Sequence, residues 1–85
     1  MSGASAPVIQ RTSALIWEQV QAHSNLVLRA SVQDLLTQLQ MSEAQERRQR
    51  LLDGLDRALR TDSDDRLIVA RAHLSALRGV LDEED

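Results

Sequence analysis

Between Pro7 and Gly54 the chain contains neither proline nor glycine. These two residues are the strongest local punctuators of structure, so nothing in that stretch interrupts a helix outright. β-Branched runs and period-two alternation are scarce, and strands are not expected. Apolar residues recur three and four positions apart. Ile9, Ile16, Val20 and Val27 mark one stripe, and Leu28, Val32, Leu35, Leu36 and Leu39 mark a second. At about 100° per residue the centres of the two stripes differ by roughly 120°. Either the chain breaks near His23-Ser24-Asn25, or one long helix shows different faces to different neighbours. Ser24 and Asn25 are capping residues by type, which favours a break or kink. Pro7 suits the first turn of a helix, after a flexible lead over residues 1–6.

The second half is more strongly punctuated. Ser42-Glu43-Ala44-Gln45 reads as a capping box, with Ser42 as N-cap and Gln45 reaching back. A third helix is expected from Glu43 to about Arg60, with Leu51, Leu52, Leu55, Ala58 and Leu59 on its apolar face. Gly54 lies inside it at a cost of about 1 kcal/mol relative to alanine, which a close helix crossing would explain. Thr61-Asp62-Ser63-Asp64-Asp65 is the clearest turn, and Thr61, Asp62 or Ser63 can cap the next helix. That fourth helix runs from about Ser63 to Leu81. Its seam, Leu67, Ala70, Leu74, Leu77 and Leu81, has the 3-4 spacing of a coiled coil. The acidic tail, residues 82–85, opposes the helix dipole and is expected to fray.

These elements predict a single all-α domain over residues 1–85, a small three- or four-helix bundle. Its base would be a C-terminal antiparallel helical hairpin, residues 43–81, with a core of Leu52, Leu55, Leu59, Leu67, Leu74 and Leu77. The charge-poor segment 7–40 would pack along or across it. With one Trp and no Phe or Tyr, the core must be aliphatic. A chain of 85 residues buries a smaller share of its surface than a large one, so a partner or second copy would relieve a thin stability balance.

Charge and composition exclude several kinds of function. The net charge is −3, which disfavours a polyphosphate ligand. There is no Cys, so disulfides, thiol chemistry and thiolate metal sites are ruled out. No apolar run approaches the about 20 residues of a membrane span, and the N-terminus has no basic region followed by an apolar core. The expected location is the cytoplasm, with export by a route lacking a cleaved signal left open. Every basic residue is Arg, a usage that fits a GC-rich bacterial or phage genome.

His23 and His73 are the only histidines available as general bases near neutral pH, and no motif surrounds either. Ser24, His23 and Asp34 do not converge on one point of a helix, so no Ser-His-Asp site is expected. Asp62, Asp64 and Asp65 begin like a calcium loop. The pattern then fails at Arg66, Leu67 and His73, where an oxygen ligand, a glycine and a glutamate are required. Arg47, Arg48 and Arg50 form the only basic cluster. Glu43–Arg47, Glu46–Arg50, Asp53–Arg57 and Asp56–Arg60 all stand at i,i+4 with the acid first, so the cluster reads as a salt-bridged solvated face, not a nucleic-acid site. No catalytic residue, cofactor or metal is expected.

Of the ten Arg and thirteen acids, only Arg11, Glu18, Arg29 and Asp34 stand before Ser42. Charge depletion of this kind marks interface cores. The expected function is therefore a non-enzymatic protein–protein interaction module, an adaptor, co-chaperone or inhibitor that buries an apolar helical face on a partner or second copy. Ile16, Trp17, Val20, Leu28 and Val32 are the candidate contact residues. The alternatives are a self-assembling structural subunit of a virion or secretion apparatus and, with less support, a DNA-binding or antitoxin-like regulator. In size, acidity and Leu-rich helices the chain is similar in general character to the small chaperones and adaptors of bacterial secretion systems, a resemblance that carries no site residue across.

Overall fold

A computed structural model of the chain describes residues 5–61 and 64–83. They form four helices, α1 (Ser5–Val20), α2 (Leu26–Met41), α3 (Gln45–Leu59) and α4 (Asp65–Glu83), with no strand among the described residues. Helix α1 packs on α2 and α4, and α3 packs on the same two helices. The diagonal pairs, α1 with α3 and α2 with α4, bring no Cα atoms within 8 Å of each other among the described residues. The helices therefore stand at the corners of a square, in an elongated all-α bundle of 39 × 19 × 18 Å.

The chain breaks at residues 21–25, and this break reconciles the two apolar stripes. Asn25 takes an extended conformation (φ −78°, ψ 105°), and its Oδ1 accepts from the backbone N–H groups of Val27 (3.0 Å) and Leu28 (3.1 Å). Two of the orphan donors at the start of α2 are thereby satisfied. With a new helix axis beginning there, both stripes turn inward to one core, except for Val27, which is left exposed at the start of α2. That core is Ile9, Ile16 and Val20 from α1, Leu28, Val32, Leu36 and Leu39 from α2, Leu51, Leu52, Leu55 and Leu59 from α3, and Leu67, Ala70, Leu74, Leu77 and Leu81 from α4.

The capping box expected at Ser42–Gln45 does not form. Helix α2 continues to Met41, so Ser42 closes that helix instead, with its N–H on the Leu39 carbonyl at 3.4 Å. The turn then consumes Glu43, and α3 opens at Gln45 with Ala44 in the N-cap position and no side-chain cap. Arg48 reaches back across the joint, its Nε donating to the Ser42 carbonyl at 3.0 Å. At the next joint Thr61 serves α3 and not α4, its Oγ1 donating to the Ala58 carbonyl at 2.7 Å. Asp62 and Ser63, the other expected caps, lie outside the described residues. Asp64 takes the capping role: its Oδ1 accepts from Arg66 N at 2.8 Å, and its carbonyl from Leu67 N at 3.0 Å. Helix α4 runs on through Asp82 to Glu83, whereas Glu84 and Asp85, the end of the expected acidic tail, lie outside the described residues, as does 1–4 of the N-terminal lead.

Helix α3 does meet α4. Gln49 Nε2 donates to Asp82 Oδ1 (3.1 Å) and Arg78 pairs with Asp53, so the start of α3 lies beside the end of α4. This is one side of a closed ring, and the first half of the chain packs against it. The most extensive packing joins α1 to α4 and α2 to α3. A Cβ placed on Gly54 would lie 3.4 Å from Leu35 Cδ2, so the glycine sits where α3 rests against α2.

Candidate interaction surface

The bundle interior takes up the residues that the charge-poor segment offered for contact. Ile16, Val20 and Val32 are fully buried and Leu28 nearly so, while Trp17 is half-buried against the same core. Of these side chains Trp17 alone keeps part of its surface in this fold. The expectation that one of the two stripes needs an outside partner is corrected, because α2 and α4 cover α1, and α1 and α3 cover α2.

Exposed large apolar side chains remain at Leu15, Leu26, Val27 and Met41 in the first half and on the outside of α4. Ile68, Val69 and Val80 are 53, 43 and 38 % exposed. At 100° per residue they share the side opposite the buried seam with Ala72, Ala76 and Gly79, all exposed. No charged side chain interrupts this face between Asp65 and Glu83. Arg71 and Arg78 border it on the α3 side, where they line an open groove with Asp56, Arg60, Ile68 and Ala72. A second apolar exposure occurs at the start of α2, where Leu26 and Val27 are 70 and 76 % exposed. Val27 also lines the groove between α2 and α3 with Leu35, Gly54 and Ala58.

The α4 face had a sequence signal. Leu67-Ile68-Val69-Ala70 is apolar around more than half a helical turn, so a seam of Leu67 and Ala70 cannot account for Ile68 and Val69. Attention to the seam alone passes over them. The uncharged polar residues that make the first half charge-poor, Gln10, Gln21, Ser31, Gln33, Thr37 and Gln40 among them, stay on the outside of α1, α2 and the joint between them.

His23 is buried at the joint between α1 and α2. Its Nδ1 accepts from Asn25 N at 3.0 Å, and its Nε2 stands 3.7 Å from Asp64 Oδ2. Arg66 donates to the Ala22 carbonyl at 3.2 Å, so His23 and Arg66 together tie the α1–α2 joint to the start of α4. That is a structural role. His73 is half-buried on α4. Among the described residues no three His, Asp or Glu side chains stand close enough to hold a metal ion, and no helix is long and apolar enough to cross a membrane. Of the four expected ion pairs on α3, Asp56–Arg60 forms at 3.0 Å. Asp53 turns instead to Arg78, and Arg47 to Gln38 at 3.3 Å.

Comparison with known proteins returns no match: no family model, no curated protein and no solved structure is significantly similar to this chain.

Proposed function

We propose that the chain is a non-enzymatic helical binding module that docks on a protein partner through the outer face of α4. The observation that carries this reading is the uninterrupted uncharged face from Ile68 to Val80 on the water side of the bundle's longest helix. A helix on the surface of a bundle needs one apolar stripe. Helix α4 has its stripe in the core and a second on the opposite side. Covering exposed apolar surface is favourable by about 25 cal/mol per Å², and apolar patches rimmed by polar residues mark interaction sites.

The test compares two double variants in affinity capture from the native cell. Ile68→Glu with Val69→Glu alters the α4 face, and Leu26→Glu with Val27→Glu alters the start of α2. All four positions are exposed, so the helical circular dichroism signal should persist in both. Loss of the captured protein with the first pair, and its retention with the second, is the expected result. Retention with the α4 pair, or a wild-type chain that captures nothing and remains monomeric at all concentrations, overturns the reading. Large assemblies formed by the chain alone would place it instead among self-assembling structural subunits.

A further inference from the structure

We infer that the joint between α1 and α2 is a proton-operated latch: His23 holds the start of α2 while its ring is neutral, and is held by Asp64 at the start of α4 when the ring is charged. The latch works whatever the α4 face binds. His23 stands just past the end of α1, with its backbone N–H on the Val20 carbonyl at 2.9 Å and its ring buried. The two ring nitrogens face different helices. Nδ1 accepts from the backbone N–H of Asn25 at 3.0 Å, and Nε2 stands 3.7 Å from Asp64 Oδ2. A ring nitrogen that accepts from an N–H carries no proton, so the neutral ring that fits this geometry is the Nε2–H tautomer. Asn25 is also the N-cap of α2, with its Oδ1 on the N–H groups of Val27 and Leu28. Its bond to His23 thus fixes the residue from which the first turn of α2 hangs.

Histidine is the side chain whose charge changes between about pH 5 and 8. A proton on Nδ1 occupies the lone pair that the Asn25 N–H uses, and two N–H groups then face each other, so that bond is lost. At the other nitrogen the charge acts in the opposite sense. Nε2–H becomes a charged donor beside a carboxylate, and a charge-assisted contact is shorter and stronger than a neutral one. Asp64 takes this part without giving up its own, because its Oδ1 accepts from Arg66 N at 2.8 Å while its Oδ2 faces the ring. Of the other charged residues near the helix ends that meet there, Glu18 of α1 and Asp65 of α4 are exposed, and Arg29 lies in the first turn of α2. Arg57 of α3 lines a groove with Asn25, and Arg66 of α4 donates to the Ala22 carbonyl at 3.2 Å. The arginines keep their charge throughout this range, so Arg66 ties the joint to α4 on both sides of the change. Acid therefore loosens the joint at α2 and tightens it at α4. Val27 and Leu28 line the groove between α2 and α3, so the wall of that groove loosens with the cap.

The experiment titrates the full 85-residue chain, isotope-labelled, from about pH 8 to about pH 5 by nuclear magnetic resonance. Near the upper end the ring nitrogen shifts of His23 are expected to show the Nε2–H tautomer. On acidification the Asn25 amide proton and the Asp64 carboxyl carbon are expected to shift in step with the ring. Amide exchange at Val27 and Leu28, taken relative to the intrinsic rate at each pH, is expected to rise about fivefold to tenfold, while Arg66 and Leu67 keep theirs. His23→Asn places an oxygen where Nδ1 stands and takes no proton in this range, so the responses of Asn25, Val27 and Leu28 should vanish. His73→Gln, further along α4, should leave them unchanged. An Nδ1–H tautomer at the upper end, an Asn25 amide or Asp64 carboxyl indifferent to the ring, a response that survives His23→Asn, or one that is lost in His73→Gln overturns the inference. Should His23→Asn fail to fold, the wild-type titration decides by itself, since the tautomer and the Asn25 amide are read without any variant.

Discussion

Ser13 sits among aliphatic side chains on the inner face of α1, one turn from Ile9 and from Ile16, and its Oγ is buried with no hydrogen-bond partner. A desolvated hydroxyl without a partner costs about 1–3 kcal/mol, and alanine is the better helix former. Ser13→Ala is therefore expected to raise stability by about 0.5–1 kcal/mol, partly offset by lost packing. In a domain of this size that amounts to a melting temperature higher by a few degrees. A fall in the melting temperature would show that the hydroxyl has a partner. That Ser13 faces the core was legible, since it completes the Ile9–Ile16–Val20 stripe at helical spacing. The behaviour of Arg48 and Asp53 was not. Local pairing rules put both on a solvated salt-bridged face, but a backbone carbonyl from the preceding joint and an arginine from α4 compete for them. Such rivals are distant in sequence and become visible only when the helices are assembled.

At the level of the elements, the two joints of similar composition behave differently. Asn25 caps α2 through two backbone donors, while Ser42 closes α2 and leaves α3 with Ala44 at its N-cap. Asn25→Ala is expected to cost about 1 kcal/mol in urea denaturation, and to speed hydrogen exchange in the first turn of α2. Ser42→Ala is expected to cost under about 0.5 kcal/mol, because its Oγ makes only a 3.5 Å contact with the Ala44 carbonyl. Equal costs at the two positions would restore Ser42 as a true N-cap. Both joints carry residues that are good caps, so type alone did not separate them. What decided was where the preceding helix ended. Helix α2 extends through Met41 and takes Ser42 for its own last turn, shifting the next start to Gln45.

The bundle as a whole sorts apolar residues into those covered by a neighbouring helix and those left outside, and substitution with a carboxylate reads the sorting directly. Val32 is wholly enclosed, and Val69 lies on the outer face of α4. Val32→Asp is expected to unfold the chain or cost more than about 3 kcal/mol, because it buries an unpaired charge. Val69→Asp is expected to cost less than about 1 kcal/mol in the isolated chain. Similar losses at both positions would mean that α4 is turned the wrong way. Sequence periodicity by itself determined that the chain is helical and which side of each helix seeks cover. A helical repeat of 3.6 residues and a cap acting within one turn are local properties. Only the tertiary structure decided which helix covers which stripe. Coverage belongs to pairs of helices, and the pairs here join α1 to α4 and α2 to α3 across the bundle. Two apolar stripes at different angles in the first half are equally consistent with an outside partner and with a break that turns both inward. The break at Asn25 and the closure of the ring by α4 settle that in favour of the interior. The same closure commits the Leu67–Leu81 seam of α4 to the core and leaves Ile68, Val69 and Val80 in water.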